Sequence, residues 1–297
     1  MMLPAVDLLF EAVEIRGHVC VGLDTSPDYI PPKERRKAQN DAEAVLAFNK
    51  SLIDATFNVA ACYKVQIACY EEMGISGLQA YGETLRYIRK KDRLVIADIK
   101  RSDIADTALR YAKAHFSGDF EADFVTLNPY MGMDSIEPWL SQAQTHGKGA
   151  FVLMRTSNPG MRDFEYLKLA DGGRLYNAVG EKLSILAEKH KGKKGYGLFG
   201  AVVGCTGKEE AAEIRKNYPG LFFLIPGYGT QGGGAWDAAV ILQNGNGGVV
   251  NASRSIITAW KKENGAENAD VFFAADAAYR ATIKMRDEIL KEVKNWE

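Results

Sequence analysis

The chain is poor in cysteine and histidine, has no long apolar run and carries no excess of either charge. Its four cysteines, Cys20, Cys62, Cys69 and Cys205, form no CxxC pair or other metal-ligand spacing. They fall in apolar strand-like or helical runs and are expected as reduced core thiols. The four histidines, His18, His115, His146 and His190, are scattered, so they are expected at surface or connector positions rather than in catalysis. Lysine plus arginine (37) nearly cancels aspartate plus glutamate (38), so no bulk positive field points to nucleic acid or an anionic membrane, and any anion site must be local. No run approaches the ~20 apolar residues of a membrane span. Asp7, Glu11 and Glu14 interrupt the apolar pattern at the start of the chain, which argues against a secretory signal or an Arg-rich transit peptide. A cytoplasmic location is expected.

Linkers, low-complexity tracts and shifts of composition are also missing, so one domain over residues 1–297 is the simplest expectation. The most basic stretch, KHKGKKG (189–195), reads as a solvated helix end and connector. What is present is a 46% hydrophobic share, enough for a sizeable core, and an ordinary 25% charged share. The length of 297 residues suits either two average domains or one barrel of about 250 residues with insertions.

The order of elements favours the barrel. After an opening helix near 4–16, with Leu9, Phe10 and Val13 on one face, short apolar runs alternate with helical patterns. Strands are expected at 19–24, 59–66, 94–100, 124–129, 150–157, 196–204, 221–227 and 247–253. Helices are expected near 41–57, 76–90, 103–116, 133–144, 172–190, 207–217, 233–243 and 270–295. Strands joined by crossover helices imply a parallel sheet, and eight such units favour closure into a (β/α)8 TIM barrel with an additional N-terminal helix.

Polar residues interrupt these strands in a pattern. In LVIADIK, Asp98 and Lys100 end the face that begins with Leu94 and Ile96. The first strand leads through Cys20 and Gly22 to Asp24, and the second through Ala60 and Cys62 to Lys64. Catalytic groups of parallel barrels stand at the carboxyl ends of the strands, so four charges are expected to converge on one mouth. Burying them makes sense only as a mutually compensating network. Asp103, three residues beyond Lys100, adds a carboxylate at the start of the next helix. Taken singly, Asp103 also reads as a helix N-cap, Asp98 with Lys100 as an ordinary ion pair, and Lys64 as a strand-end lysine with its ammonium in water.

A second constellation closes the chain. LIPGYGTQGGG (224–234) follows the seventh strand and NASRSI (251–256) ends the eighth. Glycines let backbone N–H groups approach an anion, and the loops after strands seven and eight are the usual phosphate site of such barrels. Arg254 offers a bidentate contact to phosphate.

The stretch DIKRSDIADT (98–107) resembles the D-x-K-R-x-D-I-x-x-T signature of the orotidine 5′-phosphate decarboxylase family. LDTSP (23–27), YKVQ (63–66), RTSNPG (155–160), PGYGTQGG (226–233) and SRSI (253–256) follow in family order, and LNPYMGMDS (127–135) is similar to its longer-chain branch. Tyr228 in the glycine loop, Ala252 and extra sequence around 158–173 and 234–247 depart from the shorter-chain pattern. The resemblance implies decarboxylation of orotidine 5′-monophosphate to UMP with neither metal nor organic cofactor. It implies that Asp24 and Lys64 hold the ribose hydroxyls, that Asp98 and Lys100 flank the reacting carbon, and that Ser157 reads the pyrimidine. Gly229, Gln231, Gly232 and Arg254 would bind the phosphate. Family members are dimers with active sites at the interface, so Asp103, Ile104 and Thr107 would serve the partner's site.

Two rival readings accompany this one. A magnesium-dependent decarboxylase or aldolase of sugar phosphates shares the barrel, the phosphate site and a D-x-K-x-x-D strand. Such relatives carry a carboxylate on the second strand to hold the metal, where this chain has Lys64. A non-catalytic nucleotide-binding protein would keep the phosphate loops, but the intact set of charges argues against lost chemistry.

Overall fold

The computed structural model describes residues 3–205, 208–229, 232–242 and 245–294. Its strands are β1 (Val19–Gly22), β2 (Cys62–Gln66), β3 (Leu94–Arg101), β4 (Phe124–Leu127), β5 (Gly149–Arg155), β6 (Phe199–Val203), β7 (Phe223–Ile225) and β8 (Gly248–Ala252). Each pairs in parallel with the next, and β8 pairs with β1, so the sheet closes into the expected barrel. The strands are buried along almost their whole length, as a sheet packed inside and covered by helices outside requires.

The crossover helices are α3 (Asp41–Thr56), α5 (Gly74–Lys90), α6 (Ala105–Phe116), α7 (Glu137–His146), α9 (Leu175–Lys189), α10 (Lys208–Asn217) and α11 (Ala235–Ile241), with α13 (Val271–Lys294) last. Their ends follow local chemistry. Asn40 caps α3 by accepting from the Glu43 amide at 2.9 Å, and Gly147 ends α7 in the left-handed region at φ 67°. Four short helices, α2 (Pro32–Arg35), α4 (Ala68–Glu71), α8 (Met161–Phe164) and α12 (Arg254–Ile257), are too brief to leave a periodic trace in the sequence. Strands β2 and β6 start three residues later than expected. Val59, Ala60 and Ala61 are buried without joining the ladder, because an apolar run reports burial rather than strand pairing.

The opening helix α1 (Ala5–Arg16) lies across the amino end of the barrel. Its first amide reaches Gly147 O at 2.8 Å, and Arg16 Nε reaches Ala60 O at 3.0 Å. The fully buried Asp7 carboxylate accepts the amides of Lys193 and Lys194 at 2.8 and 3.0 Å. The lysine side chains of that connector remain exposed, as expected. Among the described residues, no helix is long and apolar enough to cross a membrane.

His18 lies in the connector between α1 and β1, as expected, whereas His115 departs from surface or connector placement by sitting within α6. His18 and His115 are buried, and the His115 ring stacks between Phe120 and Trp139. A neutral imidazole packs much like any other aromatic ring. Burial, reinforced by the positive charge of Arg101, lowers the His115 pKa to about 4. All four cysteines are free, three of them buried and Cys69 half-buried.

Strand β3 is not regular to its end. Its register with β4 runs Ile96↔Phe124 and Ala97↔Val125, then resumes at Arg101↔Leu127. Asp98, Ile99 and Lys100 therefore stand opposite the single residue Thr126. Lys100 occupies the left-handed region at φ 43°, which is uncommon for a residue with a side chain. The simple alternation assumed for this strand breaks where its polar residues begin.

Candidate active site

The carboxyl ends of β1, β2, β3, β7 and β8 surround a cavity of ≈ 340 Å³, lined among others by Asp24, Lys64, Asp98, Lys100 and Arg254. Lys64 reaches it from the middle of β2, with its side chain 5% exposed. Its Nζ lies 2.8 Å from Asp24 Oδ1 and 3.1 Å from Asp98 Oδ2. Lys100 Nζ lies 2.6 Å from Asp98 Oδ1. The four charges thus form a chain of alternating sign, Asp24–Lys64–Asp98–Lys100. Its last member opens to solvent, the Lys100 side chain being 46% exposed.

Burial disfavours charge on both inner members. For Lys64 it is opposed by Asp24 and Asp98, which together raise the ammonium above the usual lysine range. For Asp98 burial is outweighed by the charges of Lys64 and Lys100, with hydrogen bonds from Lys100 and Thr126, so its carboxyl titrates below the usual range. Both are therefore ionised at neutral pH.

Neutral donors that the sequence analysis did not single out complete the network. Gln66 Nε2 donates to Asp98 Oδ2 at 3.1 Å, and Thr126 Oγ1 donates to Asp98 Oδ1 at 2.8 Å. Asp98 thus accepts three hydrogen bonds and faces the Lys64 ammonium at 3.1 Å, which together occupy the full complement of a carboxylate. Ser253 Oγ donates to Asp24 Oδ2 at 2.8 Å, so Asp24 is held from two sides. That contact depends on Gly22, where a Cβ would meet Ser253 Oγ at 2.0 Å. Gln66 and Ser253 fall within the YKVQ and SRSI stretches, whereas Thr126 carries no signal beyond its place in a strand.

Other expected site residues lie elsewhere. Asp103 is half-buried between β3 and α6 and accepts from the Ile104 amide at 2.9 Å. It is not the cap of α6, whose N-cap is Ile104. Ile104 and Thr107 are exposed, and none of the three lines the cavity of its own chain. Ser157 follows β5 and packs against Gly204, outside the lining.

In the loop after β7, Gly229 and Gly232 have φ of 76° and 91°, as a glycine-rich anion loop requires. Their amides, however, are occupied within the loop, Gly229 N donating to Gly233 O at 2.8 Å and Gly232 N to Gly229 O at 3.1 Å. The expected free amides are not presented in this conformation. Gln231 lies outside the described residues. Tyr228 ties the loop to the last helix, its hydroxyl donating to Glu288 Oε2 at 2.7 Å, and burial together with that carboxylate raises its phenol above the usual range. Arg254, the first residue of α12, is exposed on the cavity wall.

A larger groove of ≈ 530 Å³ lies between α5 and the 119–120 connector, but the charges that line it, Glu83, Arg86 and Asp119, are exposed to solvent. The chemistry belongs to the carboxyl-end cavity.

Fold and site together define a (β/α)8 barrel whose carboxyl-end cleft holds a chain of charges of alternating sign. The chain belongs to the orotidine 5′-phosphate decarboxylase / HUMPS family, which matches residues 17–269. It is 55% identical over 287 residues to a curated Clostridium perfringens (strain SM101 / Type A) protein named orotidine 5′-phosphate decarboxylase, covering 97% of this chain and 98% of that one. It superposes on a Leishmania donovani OMP decarboxylase structure with a TM-score of 0.71 at 32% identity, covering 96% of this chain and 99% of that one. A Leishmania donovani UMP synthase structure matches with a TM-score of 0.75 at 33% identity; the match covers 96% of this chain but 57% of the longer one.

Proposed function

We propose that the chain decarboxylates orotidine 5′-monophosphate to UMP, the last step of de novo pyrimidine nucleotide synthesis. One observation carries the reading: an ammonium on Lys100, fixed by an ionised, fully engaged Asp98, opens into a cavity that Arg254 also lines. Loss of CO2 from C6 of the pyrimidine leaves an electron pair in an sp2 orbital of the ring, with no conjugated sink to spread it. A positive charge held beside that carbon stabilises the developing carbanion without reorganising during the reaction. Lys100 then transfers a proton from Nζ to C6, completing UMP, and regains one from solvent.

Asp24 and Lys64 hold the ribose hydroxyls, Ser157 reads the base, and Arg254 with the loop of Gly229, Gln231 and Gly232 takes the phosphate. Because the Gly229 and Gly232 amides are engaged within the loop, phosphate binding includes a rearrangement of that loop. Binding energy far from C6 is thereby used to organise the reacting groups. The magnesium-dependent alternative fits less well, since the Lys64 ammonium lies between Asp24 and Asp98 and already neutralises carboxylates that a cation would need.

The working unit is one barrel domain of residues 1–297 paired as a homodimer. Asp103, Ile104 and Thr107, outside the cavity of their own chain, face the substrate of the neighbour, where Asp103 of the partner subunit adds a second carboxylate to Lys100. Free thiols at all four cysteines suit the reducing cytoplasm.

The test is a spectrophotometric assay of orotidine 5′-monophosphate loss with chelator present, extended to mixed variants. Wild type is expected to turn over fully with EDTA. Lys100→Ala and Asp103→Ala chains, each inactive alone, are expected to regain activity when mixed under conditions of proven subunit exchange. Dependence on added magnesium would restore the alternative, and no recovery on mixing would refute the shared site.

A further inference from the structure

Thr126 touches no reacting atom in the chemistry above. It is 1% exposed, sits in β4 and does not line the cavity. Its hydroxyl is nevertheless spent entirely on Asp98, Ile99 and Lys100. Where Asp98, Ile99 and Lys100 bulge opposite it, the ladder cannot serve the amides of Ile99 and Lys100. Both donate instead to Thr126 Oγ1, each at 3.0 Å. The same oxygen gives its only proton to Asp98 Oδ1 at 2.8 Å. A hydroxyl has one proton and two lone pairs, and here all three are used.

The bulge has a purpose that a straight strand could not meet. Residues two apart in an extended strand lie about 6.6–6.8 Å from each other with side chains parallel, which holds two head groups apart. At φ 43° the Lys100 backbone turns back, and its Nζ comes within 2.6 Å of Asp98 Oδ1. A residue with a Cβ keeps such a conformation only when its surroundings over-determine it.

We infer that Thr126 is a positioning residue for the reaction, its hydroxyl fixing both the left-handed backbone of Lys100 and the rotamer of Asp98 so that the ammonium meets C6 in one geometry. Valine matches threonine in shape but accepts and donates nothing. Alanine leaves a small void in which water can take over the amides and keep the fold. Serine preserves the hydroxyl.

The inference rests on the decarboxylase reading, and the experiment separates the two. Wild type, Thr126→Val, Thr126→Ala and Thr126→Ser are compared for kcat and KM on orotidine 5′-monophosphate and for UMP affinity by calorimetry. Thr126→Val and Thr126→Ala are expected to lose about 100-fold in kcat, the scale on which small misplacements act. UMP affinity is expected to change by less than about threefold, and Thr126→Ser to recover to within about tenfold of wild type. If Thr126→Val does not fold, Thr126→Ala decides. The inference fails if Thr126→Ala keeps kcat within about fivefold of wild type, if kcat and UMP affinity fall in step, or if serine performs no better than alanine. Wild type inert toward the nucleotide overturns the decarboxylase reading and the inference with it, whereas an active wild type beside an active Thr126→Ala overturns the inference alone.

Discussion

The two ends of this barrel bury charge in opposite ways. At the amino end Asp7 and Arg215 are paired with main chain, while Lys148 makes ion pairs with Glu121 and Asp123 at 2.9 and 3.1 Å. Asp7 takes two amides from the 193–194 connector. Arg215 donates to the carbonyls of Ile241, Leu221 and Gly247 at 2.7–2.9 Å, with its guanidinium 3.9 Å from the Phe223 ring centre. At the carboxyl end the charges are paired chiefly with one another, and Lys100 reaches solvent. The first arrangement closes the chain on itself and leaves nothing for a ligand. The second keeps an ammonium charged and aimed into a cavity. Desolvation is costly in both places; what differs is whether the compensation locks the backbone or prepares a site.

Substitutions at the two ends should therefore separate activity from stability. The largest effect is expected for Lys100→Ala, which removes both the charge at C6 and the proton donor. A loss of kcat on the order of 10⁴-fold or more follows from combining those two contributions, while UMP binding and Tm stay close to wild type. Substantial residual turnover in the nucleotide assay would contradict the role given to Lys100.

Arg215→Met is the counterpart at the amino end. It orphans buried carbonyls and should cost about 3 kcal/mol of stability, measured by urea unfolding, with kcat of the folded fraction unchanged. A drop in kcat without loss of stability would erase the division between the ends.

A smaller effect concerns pH. His115 has a pKa near 6.5 when unfolded and about 4 in the fold, lowered first by burial. Between those values the unfolded chain binds a proton that the native chain does not, so stability rises with pH and is lost as pH falls from 6.5 toward 4. The contribution amounts to roughly 2 kcal/mol by pH 5. Replacing His115 by leucine should flatten the acid limb of a Tm-versus-pH curve, and an unchanged slope between pH 7 and 5 would remove His115 as its cause.

Much of the site was legible beforehand. Asp24, Lys64, Asp98 and Lys100 stand out because charges at the ends of apolar strands are costly unless they meet, and strand alternation pointed them the same way. The place of Arg254 on the cavity wall was legible from its position after the last strand. The contacts of Gln66, Thr126 and Ser253 were not, because an amide or hydroxyl in a strand is unremarkable until its neighbour across the sheet is known. The occupied amides of Gly229 and Gly232 and the burial of His115 were hidden for a related reason, since both depend on loops and rings brought together from separate segments.

The count of strand–helix units, the closure they favour and the residues that carry charge to one rim can be read from the chain alone. These follow from periodicity and from the cost of burying an unpaired ion, which are local properties of a chain. The order in which those charges touch, the bulge that turns Lys100 back onto Asp98 and the hydroxyl of Thr126 that serves both emerge only once the barrel has closed. Those depend on register between neighbouring strands, and a register is fixed by the packing of the closed sheet rather than by any one segment.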